Sequence, residues 1–289
     1  MTRHIGIVGC SAEGAALCYR TICEEGAHAL GAYEHPEVTL HTPPLARYVA
    51  CLNAGDLAGV AELMLASAHK LAAAGATRIE WREELLTFEN PAHLADATRA
   101  EGLESVYSSP MELWLAGQSK PNPELIDALQ RAQAFGSKWL KVSLGYFTDN
   151  CDLHALAQRL GESAVQLLVE NDQTLHGGRI EPFQRFFNQV EQHHLPIKMT
   201  FDIGNWRWVG EDAQQAARLL APYVRYVHCK AVADDGGRLS ACAVSDADPA
   251  WRAVFAHFAP WVQRAIEFPL EGVDLVAETG RYIQMLEAA

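Results

Sequence analysis

The sequence predicts an α/β fold: a (βα)8 TIM barrel preceded by an additional N-terminal βα unit. Short apolar runs rich in β-forming residues alternate with amphipathic helical patterns along nearly all of its 289 residues. The runs recur about every 25–40 residues, which is typical of parallel βαβ units. A chain of this length, with 49% hydrophobic residues, can close a barrel around one packed core.

Nine apolar runs are candidate strands. Eight of them, from Val38 onward, would close the barrel, with Val38–His41 as its first strand. We therefore expect residues 1–36 to form a separate N-terminal βα segment and residues 37–289 to form the barrel domain. An open, doubly wound sheet is the alternative. The nine runs are Ile5–Val8, Val38–His41, Arg78–Arg82, Glu104–Ser108, Trp139–Ser143, Gln166–Glu170, Lys198–Asp202, Arg225–Lys230 and Arg264–Phe268.

Helical patterns fill the intervals between these runs. In Pro123–Phe135, apolar residues recur at the three- and four-residue spacing of a helix that buries one face, and Gly136 follows as a stop. The stretch Ala233–Pro249, rich in Asp, Gly and Ser, is expected to be the longest loop. The other helices are expected at Asp56–Ala74, Ile180–His194, Asp212–Tyr223 and, as the closing helix, Val273–Leu286.

Composition excludes several classes of partner and site. The formal net charge of −13 and the pI near 5.3 argue against nucleic acid and against anionic membranes as partners. The 7 cysteines are scattered, with no C-x-x-C pair, so neither a disulfide framework nor a structural zinc site is predicted. No apolar run reaches the roughly 18–20 residues of a membrane helix. We expect a cytoplasmic protein, and a homo-oligomer is compatible with the sequence.

Strand alternation predicts that many charged side chains point toward the barrel axis. In each strand the apolar residues suit the helix layer, which turns the charged residues between them inward. Taken singly, each has an ordinary explanation as a helix cap, a core histidine or half of an ion pair. Together they would be costly to bury without mutual pairing, a metal or a wet pocket, and active sites lie at this end of barrel strands. The inward set is Glu80, Arg82, Lys141, Glu170, Asp202, His228, Lys230 and Glu267.

Three carboxylates and one imidazole form a hard, oxygen-rich ligand set. Such a set favours Mn²⁺, Mg²⁺ or Co²⁺ over a thiolate-type zinc site, with Mn²⁺ as our first expectation. Cys229 lies between His228 and Lys230 in the sequence, so it should face the opposite side of its strand and should not be a ligand.

From about Thr77 to the end, the chain resembles the sugar phosphate isomerase/epimerase family of xylose-isomerase-like TIM barrels. The resemblance rests on Leu168-Val-Glu-Asn, Thr200-Phe-Asp-Ile-Gly-Asn-Trp, Tyr226-Val-His-Cys-Lys and Ala265-Ile-Glu-Phe. It implies one divalent metal held by Glu170, Asp202, His228 and Glu267. We prefer Glu267 to Glu278 as the last ligand, because the residues after Glu267 have helical periodicity. The family often carries Asp-x-x-His where this chain has Asn205, which puts the usual substrate hydroxyl contact in doubt.

Residues 1–76 instead resemble the start of aspartate/glutamate racemases, through Ile5-Gly-Ile-Val-Gly-Cys-Ser and His35-Pro-Glu-Val. Those enzymes use two opposed cysteines. This chain has Ile79-Glu-Trp-Arg-Glu at the first catalytic place and no later Gly-Cys-Thr-Glu segment. Racemase chemistry is therefore not expected, and a recombined chain is the simplest account.

The resemblance implies isomerisation or epimerisation of a small sugar or sugar phosphate through an enediolate. Glu170 and Glu267 would transfer the proton on opposite faces of the substrate. The alternatives are a non-catalytic or impaired barrel that acts at most as a binding module, and a metal-dependent nuclease. The predicted substrate contacts are Glu80, Arg82, Lys141, Asn205, Trp206 and Lys230.

Overall fold

A computed structural model provides the fold. It divides into two compact units, described separately below: Met1–Ile79 with Thr87–Glu104 and Pro269–Ala288, and Glu80–Leu86 with Ser105–Phe268. The described residues are 4–8, 37–41, 51, 54, 56–83, 91–161, 163–245, 248–268 and 275–287.

Strands and helices alternate along most of the described chain, as predicted. The strands are β1 His4–Val8, β2 Glu37–His41, β3 Arg78–Arg82, β4 Glu104–Trp114, β5 Trp139–Gly145, β6 Gln166–Glu170, β7 Lys198–Asp202, β8 Val224–Cys229, β9 Ala231–Asp235, β10 Arg238–Cys242 and β11 Gln263–Ile266. The helices are α1 Leu57–Ala73, α2 Pro91–Ala100, α3 Leu125–Ala134, α4 Leu153–Leu160, α5 Ile180–Gln192, α6 Asn205–Trp208, α7 Ala213–Leu220, α8 Ala250–Phe255 and α9 Leu275–Glu287, with a 3-10 turn at Ala221–Tyr223.

Seven strands form one curled sheet in the order β11-β8-β7-β6-β5-β4-β3. The pairs from β4 to β8, and the pair of β8 with β11, are parallel. Helices separate most consecutive strands, so the sheet is built from the predicted βαβ units and has the architecture of a TIM barrel. The open doubly wound alternative, in which the strand order reverses, does not fit this order.

The N-terminal unit holds its own two-stranded sheet, in which β1 and β2 pair in parallel from His4 with Glu37 to Val8 with His41. The predicted first barrel strand, Val38–His41, therefore lies in this sheet and not in the sheet of seven. Helix α9 contacts both β1 and α1 within the same unit. The predicted boundary between residues 36 and 37 stays a prediction.

Helix ends follow the local sequence signals. Asp152 caps α4, since its Oδ1 accepts a hydrogen bond from the backbone N–H of Ala155, and Asp212 caps α7 in the same way. After α3, Gly136 takes the positive φ (72°) that ends a helix, as predicted from the sequence. Among the described helices, none combines the length and the hydropathy needed to cross a membrane.

Aromatic side chains of α5 fill the layer between helix and sheet. Phe183, Phe186 and Phe187 are fully buried, and their rings lie edge-on or tilted to one another at 5.2–6.3 Å. Burial of one such side chain contributes about 1.5–3 kcal/mol. This packing supports the β6 and β7 ends of the sheet, where the charged residues collect.

A β-hairpin occupies part of the segment predicted to be a loop, and that prediction was wrong. Strands β9 and β10 pair antiparallel across Gly236 and Gly237, whose φ angles are 61° and 93°. Two consecutive positive φ angles make the tight turn whose twist suits a hairpin. The Gly and Asp content that indicated a loop is therefore the content of the turn, since Gly237 N–H also donates to Asp234 Oδ1 at 2.8 Å.

Candidate metal centre

Four residues meet at the carboxyl ends of the central strands: Glu170, Asp202, His228 and Glu267. Glu170 and Asp202 are the last residues of β6 and β7, His228 lies near the end of β8, and Glu267 follows β11. One ligand atom from each residue lies within 4.8 Å of the others. The structure thus brings the four predicted ligands together.

His228 lies at the centre of this quartet and is almost fully buried. Its Nδ1 lies 2.7 Å from Glu170 Oε1, 3.2 Å from Glu267 Oε2 and 4.0 Å from Asp202 Oδ2. Its Nε2 lies 2.7 Å from Glu80 Oε2 in a hydrogen bond. A carboxylate that holds one imidazole nitrogen orients the other toward a metal, which is the usual support of a histidine ligand.

Three buried atoms face one another in the quartet: Glu170 Oε1, Asp202 Oδ2 and His228 Nδ1. Each has a charged neighbour at short range, with 2.7 Å between Glu170 Oε1 and His228 Nδ1 and 2.5 Å between Asp202 Oδ2 and Lys230 Nζ, but within the described chain none of the three meets a partner in hydrogen-bond geometry. Ligand atoms that converge in this way suit a shared cation better than they suit one another. An oxygen-rich set with one imidazole suits a hard divalent cation. The residues present therefore fit a metal ion, which these four side chains would hold.

Two lysines accompany the quartet. Lys141 Nζ lies 2.6 Å from Glu170 Oε2 and 3.1 Å from Glu80 Oε1. Lys230 Nζ lies 2.5 Å from Asp202 Oδ2 and 2.8 Å from Glu267 Oε2. Four carboxylates and two ammonium groups leave two net negative charges while His228 is neutral, and a divalent cation would balance them.

The pKa shifts reflect this excess of negative charge. Burial raises the pKa of Asp202 well above its usual range, and the carboxylate of Glu267 adds to the rise. Burial alone would lower the pKa of His228, but the charges of Glu267 and Glu80 outweigh it and raise the pKa well above 6.5. For Glu80, burial alone would raise the pKa, but the charges of His228 and Lys141 outweigh that rise and lower the pKa to about 2. Asp202 and His228 therefore tend to hold protons where a divalent cation would displace them.

Asp202 is held in place from both sides. Its Oδ1 accepts hydrogen bonds from the backbone N–H groups of Gly204 and Asn205, both at 2.9 Å, which leaves Oδ2 for the quartet. The Asn171 side chain binds the Asp202 backbone reciprocally: Nδ2 donates to the carbonyl oxygen at 3.0 Å and Oδ1 accepts from the N–H at 2.9 Å. Because Asn171 follows Glu170 directly, this clamp ties two ligand-bearing strands together.

The six predicted substrate contacts fall into three groups. Glu80, Lys141 and Lys230 join the buried cluster, as strand alternation predicted. Asn205 is buried as a support, since its Nδ2 donates to the Asn171 carbonyl at 2.8 Å and its Oδ1 accepts from Gln173 at 3.2 Å.

Arg82 and Trp206 differ from the prediction. Arg82, the last residue of β3, is exposed, although it lies two residues beyond Glu80 and on the same face of the strand. Trp206, predicted to wall a pocket, is 0% exposed and packs against Phe183 and Phe201 at ring distances of 6.0 and 5.4 Å. It belongs to the hydrophobic core.

The sequence interpretation missed Asn171 and three further residues, Glu112, Tyr146 and His176. These three lie at the carboxyl ends of β4 and β5 and in the loop after β6. Strand alternation could have found Glu112, because it stands between the buried Met111 and Leu113. No comparable signal marks the other two, which lie outside strands.

Solved structures resemble this fold at low sequence identity. A xylose isomerase domain-containing protein from Salmonella typhimurium has a TM-score of 0.55 and 14% identity, over 78% of this chain and 92% of that one. The fold is a xylose-isomerase-like TIM barrel. D-Allulose 3-epimerase from Methylomonas sp., solved with D-allulose, has a TM-score of 0.53 and 14% identity, over 79% and 91% of the two chains.

A sugar phosphate isomerase/epimerase from Parabacteroides distasonis has a TM-score of 0.50 and 15% identity to this chain, over 76% of it and 87% of that protein. No family model matches the sequence, and no curated protein matches it. At these identities the likeness establishes the fold, and the function has to be argued from the site itself.

Proposed function

We propose that the protein is a divalent-metal-dependent isomerase or epimerase of a small sugar or sugar phosphate. The observation that carries the proposal is the convergence of one ligand atom each from Glu170, Asp202, His228 and Glu267, all within 4.8 Å of one another, at the carboxyl end of a barrel. The sugar epimerases among proteins of the same fold support the choice of substrate class.

The cation would be bound by Glu170, Asp202, His228 and Glu267, with Mn²⁺ preferred and Mg²⁺ or Co²⁺ as alternatives. When bound, it supplies polarisation of a substrate carbonyl and the adjacent hydroxyl.

Proton transfer falls to the two glutamates. Glu170 and Glu267 follow β6 and β11, which are separated in the sheet by β7 and β8. Carboxylates on non-adjacent strands can approach a substrate from different sides, so one removes the proton next to the carbonyl and the other returns a proton to the enediolate. Return to the same carbon gives an epimer, and return to the neighbouring carbon gives the isomer.

The buried lysines and Glu80 serve the same reaction from the sides of the quartet. Lys141 and Lys230 each contact one glutamate of the pair and favour its ionised form, so either glutamate can act as the base while the other carries the proton that is returned. The hydrogen bond that His228 Nε2 donates to the Glu80 carboxylate holds the His228 ring in orientation. Arg82 lies at the exposed end of β3, and we propose that it contacts the substrate there.

The first experiment measures metal binding. Elemental analysis of the purified protein is combined with Mn²⁺ and Co²⁺ thermal-shift titrations of the wild type, Glu170→Gln and the control Glu181→Gln, which changes an exposed carboxylate in the same way. We expect both metals to stabilise the wild type and the control, and Glu170→Gln to lose most of that shift. Equal stabilisation of all three proteins would place the metal elsewhere.

The second experiment measures the reaction. The Mn²⁺-loaded protein is incubated in deuterated water with D-fructose, D-allulose or D-tagatose, or with a phosphate of one of these ketoses, and the products are analysed by NMR. Proton transfer through an enediolate is expected to introduce deuterium at the carbon next to the carbonyl. A protein that binds metal but exchanges no proton and converts none of these ketoses or their phosphates would support the non-catalytic barrel instead.

A further inference from the structure

Beside the quartet lies a second group of polar and aromatic side chains that the metal centre does not use. His176 Nε2 lies 2.7 Å from Glu112 Oε1, and the Tyr146 ring stacks on the His176 ring at 3.7 Å between centroids, with 10° between planes. We call Glu112, Tyr146 and His176 the distal triad. It is neither core nor open surface, since Glu112 and His176 keep 29% and 27% of their side chains exposed and Tyr146 keeps 40% of its area.

Strand register fixes the position of the distal triad relative to the metal ligands. Glu112 of β4 is in register with Ser143 of β5, and Ser143 is in register with Glu170 of β6. Residues in register on parallel strands point to the same face of the sheet, so Glu112 and Glu170 face the same side. Two strand spacings put their Cα atoms about 10 Å apart. The triad therefore lies beside the metal ligands on the same face of the sheet, with the Glu112 carboxylate bound to His176 and outside the quartet.

Separate features of the structure hold each member in place. Gly145 allows β5 to approach β4 closely: an added Cβ would lie 2.4 Å from the Trp114 carbonyl oxygen and 2.8 Å from Glu112 Cβ. Tyr146 N–H then donates to the Trp114 carbonyl at 2.8 Å. The Glu112 carbonyl accepts a hydrogen bond from Asn122 Nδ2 at 2.9 Å.

The loop that carries His176 is closed on itself. Thr174 N–H donates to Asp172 Oδ1 at 2.7 Å, Gly177 N–H donates to Thr174 Oγ1 at 3.0 Å, and Asp172 N–H donates to the Gly177 carbonyl at 3.1 Å. An exposed Glu–His pair alone contributes little to stability. Pre-organised polar groups beside an aromatic ring are instead what orients a small ligand in its site.

We propose that the distal triad binds the far end of an unphosphorylated six-carbon sugar whose carbonyl end lies at the metal quartet. This inference rests on the proposed function and specifies its substrate. The carboxylate and the imidazole would exchange hydrogen bonds with the last hydroxyls of the sugar. The Tyr146 face would pack against its C–H groups, because the face of an aromatic ring is negative and attracts them.

Distance and charge define what the distal triad selects. A four-carbon ketose held at the quartet would end before the triad, whereas a six-carbon ketose would reach it. A terminal phosphate would meet the Glu112 carboxylate, and repulsion of this kind is an established way to exclude a competing ligand. The triad should therefore favour D-fructose over both L-erythrulose and D-fructose 6-phosphate.

The test is calorimetric titration of the Mn²⁺-loaded protein with D-fructose, L-erythrulose and D-fructose 6-phosphate. The proteins are the wild type, Glu112→Gln, His176→Ala and Tyr146→Ala, with Glu181→Gln as an exposed control. We expect Glu112→Gln and His176→Ala each to raise the Kd for D-fructose about tenfold, the value of one hydrogen bond to a charged group, and Tyr146→Ala to raise it about two- to tenfold through the lost ring face. All three variants should leave the Kd for L-erythrulose within about twofold. Glu112→Gln should also bind D-fructose 6-phosphate more tightly than the wild type does, a gain that misfolding cannot produce.

Two outcomes overturn the inference while the proposed function stands. In one, the wild type binds D-fructose and the triad variants bind it equally well. In the other, the triad variants raise the Kd for L-erythrulose as much as the Kd for D-fructose, which would assign the triad a structural role. The Mn²⁺ thermal shift, which the triad variants should keep, separates these results from failure of the proposed function. A wild type that binds Mn²⁺ and none of the sugars would refute both proposals.

Discussion

The Asn171 clamp gives the sharpest test of how the metal centre is built. The side chain is 0% exposed and makes two hydrogen bonds to the Asp202 backbone, at 3.0 and 2.9 Å. Asn171→Ala removes the partner of one buried donor and one buried acceptor, at about 1–3 kcal/mol each, so we expect a loss of about 2–6 kcal/mol in the free energy of unfolding. Freed from β6, Asp202 should present its Oδ2 less accurately, and the Mn²⁺ affinity should fall about 10–100-fold.

Asn122→Ala is the matched control. Asn122 is 5% exposed and also makes two side-chain hydrogen bonds to backbone, to the Glu112 carbonyl and from the Glu124 N–H. Urea unfolding should show comparable losses of stability for both variants, whereas calorimetric titration with Mn²⁺ should show a raised Kd for Asn171→Ala alone. If Asn171→Ala loses stability but binds Mn²⁺ like the wild type, or if both variants lose affinity equally, the clamp does not position the ligands.

Three further predictions concern the packing around the centre. Gly145→Ala should lower the free energy of unfolding by about 1–2 kcal/mol because of its positive φ, and by about 1–3 kcal/mol more because of the close contact with Trp114. Gly210 has a similar φ (74°) and nothing within 4 Å of an added Cβ, so Gly210→Ala should show only the first loss in urea unfolding. Trp206→Phe should lower the free energy of unfolding by about 1–3 kcal/mol and leave the Kd for D-fructose unchanged; a raised Kd would restore Trp206 as a substrate contact. Burial raises the pKa of Cys229 to about 12, so iodoacetamide at pH 8 should leave this thiol unmodified in the native protein; its alkylation, seen by mass spectrometry, would contradict the packing.

Local patterns were sufficient for most of the barrel. The bounds predicted for β3, β6 and β7 agree with the structure. The alternation along each strand predicted that Glu170, Asp202 and His228 turn inward, and all three lie in the quartet. Alternation succeeds here because a strand has only two faces, and one face of a barrel strand has to be apolar.

The sequence pattern failed at Pro110, which indicates the end of a strand although the residues on both sides of it belong to one strand. The predicted strand at Glu104–Ser108 continues in the structure to Trp114, through Pro110, with a register shift between Ser108 and Glu112. Proline within a run indicates the end of a strand, but a register irregularity accommodates it. Because the predicted strand ended at Ser108, Glu112 was not assigned to a strand, although its place between Met111 and Leu113 marks it as inward.

Contacts between distant segments were beyond any local pattern. Glu80 and His228 are separated by 148 positions, and only the closure of the sheet brings them into one hydrogen bond. Trp206 illustrates the same limit: a tryptophan next to a strand end suits a pocket wall and a core equally, and the choice depends on Phe183 and Phe201 from other elements. Asn171 likewise acts through the backbone of a neighbouring strand.

Charge balance provides a test of whether the cluster works as one unit. Lys141 contacts both Glu170 and Glu80, so Lys141→Met removes a buried cation and makes the net charge of the cluster more negative by one. In the presence of EDTA this variant should lose about 3–5 kcal/mol of stability, as expected when one partner of a buried ion pair is removed.

Adding Glu80→Gln to Lys141→Met restores the original charge, so the double variant should be more stable than Lys141→Met alone, although each single substitution destabilises the protein. Urea unfolding of the four proteins in this cycle measures the coupling directly. Additive losses would show that the two residues respond to separate local contacts and not to the net charge of the cluster. In that case charge balance would no longer support a divalent cation, and the metal centre would rest on the convergence of the ligand atoms of Glu170, Asp202, His228 and Glu267 alone.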